Sequence, residues 1–176
     1  MNKYIYANKP IIQNLHHLKN LKLLSIQSNR LTKLEGLDQL ENLEELYLSH
    51  NAIKKIEGLE RIRLGSLEPR IITDRFAKRL SEMGKICPHF HLSLQSGCDS
   101  VLRRMNRRYT SDEYYEKVEI LRKYFESPAI TTDIIVGFPN ETEEDFLETL
   151  DVVEQCHYDS AFTFIYSPRQ GTPASV

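Results

Sequence analysis

The sequence predicts an α/β protein in two parts: a short repeat-built solenoid joined to a partial parallel (β/α) barrel with four strands and three helices. Three observations predict it. Residues Leu18 to Leu37 return as Leu40 to Leu59 in a register of 22 residues. The repetition stops at Leu59. From Arg61 onward, short apolar runs of strand type alternate with capped segments of helical period. The expected domains are therefore residues 1–59 and 60–176.

Within each repeat the pattern is L-x-x-L-x-x-L-x-L-x-x-N-x-L-x-x-L-x-x-L. Leu24-Ser25-Ile26 and Leu46-Tyr47-Leu48 alternate and read as short strands. Asn29 and Asn51 follow them, where a buried amide can satisfy backbone groups exposed as the chain turns. The remaining leucines fill a flattened core, and together these features are the leucine-rich-repeat signature. A poorer copy starts near Tyr4, with Asn8 lying 21 residues before Asn29, Ile12 and Leu15 continuing the apolar pattern, and Pro10 in place of a leucine. So few repeats, with no evident cap at either end, predict a marginal solenoid.

The second part begins with a strand over Arg61–Leu64. Thr73 caps a helix over Asp74–Met83, and Phe90–Leu94 is the next strand. Ser111 opens a helix to Tyr124, Ile130–Val136 is a strand, and Thr142 opens a helix reaching Cys156. Ala161–Tyr166 is the last strand. Four strands with three intervening helices give a parallel sheet with right-handed crossovers. Polar residues follow each strand: Ser66 and Glu68, Gln95 and Ser96, Gly137 with Glu141, Ser167 and Arg169. Such strand ends form the ligand rim of parallel α/β folds. A further expectation is that the repeat strands cover the Ile62–Leu64 edge as one continuous sheet.

Bulk properties narrow the function classes. The 176 residues are 40% hydrophobic and 27% charged, with a net charge of −2, so no global basic character demands nucleic acid or an anionic membrane. No apolar run is long enough to span a membrane and no signal peptide is visible. The three cysteines, Cys87, Cys98 and Cys156, fit neither a disulfide framework nor a close-spaced cluster loop, which predicts a reducing, cytoplasmic setting. His89 and His91 alternate on a strand with no third metal ligand nearby and read as strand residues. The run Arg103-Arg104-Met105-Asn106-Arg107-Arg108 is the candidate polyanion contact, set against a solvated helix end.

Two resemblances follow from these motifs. NLHHLKNLKLLSIQSNRLTKLEGL and LEELYLSHNAIKKIEGLE resemble the repeats of the protein phosphatase 1 regulatory subunit family. This implies a protein partner held on the strand-bearing face, with Ser25, Gln27, Tyr47 and Ser49 as the exposed candidates. RIRLGSLEPRIIT, HFHLSLQSGCDSVLRRMNRRYT, TTDIIVGFPNETEEDF and YSPRQGTPAS resemble the second half of a radical S-adenosylmethionine domain. The specific resemblance is to the methylthiotransferases acting on adenosine 37 of tRNA, in the threonylcarbamoyladenosine branch.

That resemblance implies contacts to S-adenosylmethionine. Ser66 and Glu68 would line the pocket, and Gln95 and Ser96 would bond the methionyl or ribose portion. Arg107 or Arg108 would pair with the carboxylate, a match of fork to fork. Ile135 and Gly137 would lie beside the adenine, and Tyr166 and Ser167 would close the rim. Asn140 stands where the family commonly has glycine. The family's [4Fe-4S] cluster needs a C-x-x-x-C-x-x-C loop, and this sequence contains none. The expected function is thus a fragment or chimera of a tRNA methylthiotransferase, inactive alone. The alternative is a noncatalytic leucine-rich-repeat protein-binding module. No metal and no membrane partner is expected, and tRNA belongs to the resembled family.

Overall fold

The computed structural model describes residues 2–4, 15–27, 29–37, 39–48, 51–53, 61–168, 171 and 174, the first three by backbone alone. The expected roles of Asn8, Ile12, Ser49 and Arg169 fall outside the described residues. The chain divides into two compact units, Met1–Glu60 and Arg61–Val176. Among the described residues no helix is long and apolar enough to cross a membrane.

The first unit carries β1 (Asn2–Tyr4), β2 (Leu23–Ser25) and β3 (Glu45–Tyr47) as a parallel sheet in that order. The pairing register is the sequence repeat itself: Leu24 lies opposite Leu46 and Ser25 opposite Tyr47. Leu15, Leu21, Leu24, Ile26, Leu31, Leu34 and Leu40 form its buried core. Asn29 donates to the carbonyls of Ile26 and Gln27 at 3.0 and 2.9 Å. Asn51 reaches back into the preceding repeat, donating to Ile26 O at 2.8 Å and accepting from Leu31 N at 3.1 Å. The asparagines therefore tie adjacent turns together where the leucines stop.

One position expected on the exposed face is covered. Ser25 is buried, because it sits on the central strand directly opposite Tyr47 and its side chain is short. Gln27 is half-buried and Tyr47 exposed, its hydroxyl donating to Glu45 Oε2 at 2.8 Å.

The second unit carries β4 (Ser66–Leu67), α1 (Asp74–Ser81), β5 (His89–Leu92), α2 (Asp99–Arg104), α3 (Ser111–Tyr124), β6 (Ala129–Val136), α4 (Glu143–Cys156) and β7 (Ser160–Ile165). Its sheet runs β4-β5-β6-β7, every pair parallel. The described strands fall into two sheets, one within each unit. The first strand is also displaced: only Ile62 bridges, to Ile86, and the ladder proper is Ser66 and Leu67. Ser66 therefore lies on a strand, not after one. A helix absent from the sequence reading, α2, occupies the segment before the arginine run.

Local chemistry explains the helices. Thr73 caps α1 by accepting from Phe76 N. The α3 cap is Thr110, one residue before the expected Ser111, with Glu113 completing a capping box. Thr142 and Asp145 repeat that box on α4. Alternation on β5 sends Phe90 and Leu92 into the core with Ile72, Leu102, Tyr114, Leu121 and Ile130. The Tyr114 hydroxyl, fully buried, donates to Leu92 O at 2.8 Å.

Candidate functional site

The ends of β4, β5, β6 and β7 carry most of the residues singled out by sequence. At the end of β5, Gln95 holds a left-handed φ of 70° and is only 7% exposed. Its backbone is pinned on both sides, Gln95 N to Asp133 O and Ile135 N to Gln95 O, each at 2.8 Å. Its side-chain amide has no hydrogen-bond partner among the described residues. The left-handed backbone at this non-glycine residue is strained. The amide is not among the buried polar atoms left unpaired, which among the described residues are Glu141 Oε1 and Tyr158 Oη, so it reaches solvent at the rim.

Ser96, expected to meet a ligand, is otherwise engaged. It is fully buried, its hydroxyl lies 3.2 Å from Thr149 Oγ1, and it accepts from Cys98 N. It fastens the strand end to α4. Gly97 completes that contact by donating to Thr149 Oγ1 at 2.9 Å.

After β6, Gly137 turns at φ 69° and Asn140 at φ 63°. A Cβ at Gly137 would meet nothing within 4 Å, so glycine serves the turn there and not a close backbone approach. Asn140 adopts the left-handed geometry that Asn tolerates. Glu141 Oε2 accepts from Phe138 N at 3.0 Å, while its buried Oε1 has no hydrogen-bond partner among the described residues. Ile135 is half-buried on β6. Tyr166 stacks edge-on against Phe138 at 4.9 Å, and its hydroxyl donates to Ala174 O at 2.8 Å. Ser167 is exposed beside it.

Glu68 is exposed and paired with Arg70 at 2.9 Å, and Ser66 lies 3.1 Å from Ser93. Arg107 and Arg108 are exposed and line a shallow cavity with Arg103. Next to them, burial pushes the Tyr109 phenol up to about 12 against the pull of Arg107.

A polar row went unread in the sequence. His91 Nε2 lies 3.0 Å from Asp133 Oδ2 and its Nδ1 lies 3.0 Å from Thr131 Oγ1. Ser93 donates to the same Asp133 oxygen at 3.1 Å, which links the row to Ser66. The partners sit some 40 residues apart, so only strand register brings them together. His91 is thus a strand residue held by hydrogen bonds, and His89 meets Arg63.

A second network joins α2 to α4. Asp145 accepts from Cys98 Sγ at 3.1 Å, from Ser100 Oγ at 3.2 Å and from Arg104 at 3.3 Å. These bonds, the Cys98 thiol foremost, with the Thr142 N–H, lower the Asp145 carboxyl to about 2. Arg104 also donates to Asn140 O at 3.1 Å, so the network steadies the turn after β6.

The thiols do not assemble a cluster site. Cys98 and Cys156 are buried, and burial holds both above the usual thiol range. Among the described residues no three His, Cys, Asp or Glu side chains converge to hold a metal. An iron–sulfur cluster needs converging thiolates, so the described residues do not fit one.

Comparison with known proteins gives a family and several relatives. A family profile described as "Radical SAM superfamily" matches residues 11–153. A tRNA-2-methylthio-N(6)-dimethylallyladenosine synthase of Syntrophomonas wolfei is 50% identical over 116 residues, covering 66% of this chain and 26% of that protein. The synthase of the same name from Alkaliphilus oremlandii is 49% identical, with 66% and 25% covered. That of Caldicellulosiruptor saccharolyticus is 51% identical over the same shares. The chain spans about a quarter of the length of the curated relatives it matches. Their names specify the dimethylallyl nucleoside, which overturns the expected threonylcarbamoyladenosine branch.

Proposed function

Because the chain belongs to the radical S-adenosylmethionine superfamily, we propose that residues 60–176 bind S-adenosylmethionine along the strand-end rim. The observation that carries this reading is Gln95, strained at φ 70°, buried, and with an amide left for a ligand. In this reading Gln95 bonds the polar part of the cosubstrate. Ile135 and the turn at Gly137 face its base, Tyr166 and Ser167 close the rim, and Ser66 and Glu68 border it. Ser96 acts at one remove by holding Gln95 against α4. When bound, the cosubstrate supplies the sulfonium group on which the superfamily's chemistry depends.

The substrate class we assign is tRNA, at a 2-methylthio-adenosine modification of the dimethylallyl type, supported by the names of the relatives. The described residues supply no cluster ligands, so we assign this chain the binding of cosubstrate and not turnover. Equilibrium dialysis with labelled S-adenosylmethionine tests this. Wild-type chain should bind, and Gln95→Ala should weaken binding about tenfold, the loss of one good buried hydrogen bond to a charged ligand. Saturation that is indifferent to Gln95, or no binding at all, sinks the reading.

A second reading concerns residues 1–59. A parallel strand at each turn in the repeat register, tied by Asn51 across turns, supports a leucine-rich-repeat solenoid. We propose that it takes a protein partner through Gln27, Tyr47 and Ser49. Capture that survives Tyr47→Ala together with Gln27→Ala would count against that face.

A further inference from the structure

The polar row across β4, β5 and β6 leaves one acceptor open. Alternation along β6 puts Thr131, Asp133 and Ile135 on one face of the sheet, and the bonds of His91 and Ser93 to Thr131 and Asp133 place them there too. Asp133 Oδ2 is doubly engaged, by His91 Nε2 at 3.0 Å and by Ser93 Oγ at 3.1 Å. Its Oδ1 has no hydrogen-bond partner among the described residues. It is not among their buried unpaired atoms either, so it is open to solvent. Ser66 on β4 continues the row behind Ser93, which steadies the carboxylate from three strands.

Two aromatic rings stand beside this oxygen. Phe162 of β7 is the register partner of Asp133, and Phe164 that of Ile135, so both rings rise on the face that carries the carboxylate. Each is about half exposed, and the Phe162 ring lies 6.1 Å from the His91 ring. The face of a phenyl ring attracts cations, and so does a carboxylate. Together they favour a cation with an apolar coat, because a strongly hydrated ion gains little from the rings.

The neighbouring charges do not cancel this attraction. His91 is the one ion-pair partner of Asp133 among the described residues. Arg63 is turned to His89, at the start of β5, and donates to its ring at 3.2 Å. Arg70 is paired with Glu68, and Asp159 accepts from Ile130 N at 2.8 Å. A phosphate or other anion would meet the repulsion of Asp133.

We propose that Asp133, Phe162 and Phe164 bind a compact organic cation, a sulfonium or an alkylammonium group. The site goes beyond the strand-end rim and adjoins it, since Gln95 N donates to Asp133 O. The cation therefore has two sources: the sulfonium of a cosubstrate held at the rim, or a free alkylammonium ligand.

The test is an NMR titration of the full chain with tetramethylammonium chloride, against sodium chloride at matched ionic strength. His91 and phenylalanine ring resonances are followed at about pH 8, where an ordinary imidazole is neutral. Wild type should show saturable shifts that sodium does not produce. D133N removes the charge and should weaken binding at least about fivefold. F162L keeps an apolar side chain, removes the ring and should weaken it about threefold. D151N removes the same charge from an exposed position on α4 and should bind as wild type does. Circular dichroism confirms folding, and F162L, at an exposed position, decides the matter if D133N does not fold.

Dialysis of S-adenosylmethionine against its neutral thioether, S-adenosylhomocysteine, identifies the source. A preference for the sulfonium that vanishes in D133N supports the site with the cosubstrate as its occupant. A preference unchanged in D133N, with tetramethylammonium binding lost, supports it with a free alkylammonium. Shifts that sodium reproduces, or that survive both D133N and F162L, overturn the proposal. So does a wild-type chain without saturable tetramethylammonium shifts, and retained cosubstrate binding then leaves the rim reading standing. Tetramethylammonium binding without cosubstrate binding would remove the rim reading and support this site.

Discussion

Gly97 is where a single hydrogen atom matters most. A Cβ placed there would lie 2.6 Å from Thr149 Cα and 2.9 Å from Glu148 O, both backbone atoms of α4. Neither can rotate away, so α4 itself would have to shift, and the Ser96 and Gly97 bonds to Thr149 would go with it. Overpacking of this kind costs about 1–3 kcal/mol. Gly97→Ala should therefore lower the urea midpoint, while Gly65→Ala, with nothing within 4 Å, should stay within about 0.5 kcal/mol of wild type. Similar midpoints for the two variants would mean that α4 is not seated on this residue. Gln95 depends on the same seating, because the strand end that strains it is fastened by its two successors.

At the scale of elements, α4 is held at its start by one carboxylate with two tasks. Asp145 completes the capping box with Thr142 and anchors Cys98, Ser100 and Arg104 of the α2 region. Its folded-state carboxyl is lowered from 3.8 to about 2, so its contribution is fully present above the ordinary value and is lost as pH falls through about 2. Urea midpoints measured between about pH 4 and pH 2 should fall more steeply in wild type than in Asp145→Asn, with the variant the less stable at neutral pH. Parallel slopes would show that the carboxylate is not the titrating support. The start of α4 was legible in sequence because Thr142 stands directly before a run of acids, whereas the α3 cap was placed one residue late, at Ser111, because two adjacent hydroxyl residues offer the same signal. The repeat register was legible too, since each turn of the chain copies the last. By contrast, α2 was hidden: six residues leave no period, and its stop signal is a left-handed Asn106 within a charged run. The engagement of Ser96 and the His91–Asp133 row were hidden too, since their partners lie 53 and 42 residues away. Ser25 misled because alternation gives the face of a strand but not whether neighbours cover it.

At the scale of the whole molecule, association in solution follows from one edge and a small net charge. Among the described strands β7 closes one side of its sheet, and all six of its residues are exposed. Phe162 is 54% exposed, Phe164 53% and Ile165 82%, and Leu147 and Leu150 on α4 are exposed as well. The segment Ser-Ala-Phe-Thr-Phe-Ile contains no charge, proline or glycine. Unpaired edges of this composition invite further strands, and natural edges are commonly blunted by charge. A net charge of −2 and a pI near 6.3 provide little mutual repulsion to oppose them. Light scattering should therefore show concentration-dependent association that grows as pH approaches the pI. Phe162→Glu with Ile165→Glu should suppress it by placing charge on the edge itself. Gln39→Glu with Gln155→Glu adds the same net charge elsewhere and should suppress it far less. Equal suppression by both pairs would make the effect colloidal and acquit the edge, whereas suppression confined to the β7 pair places the association on that strand.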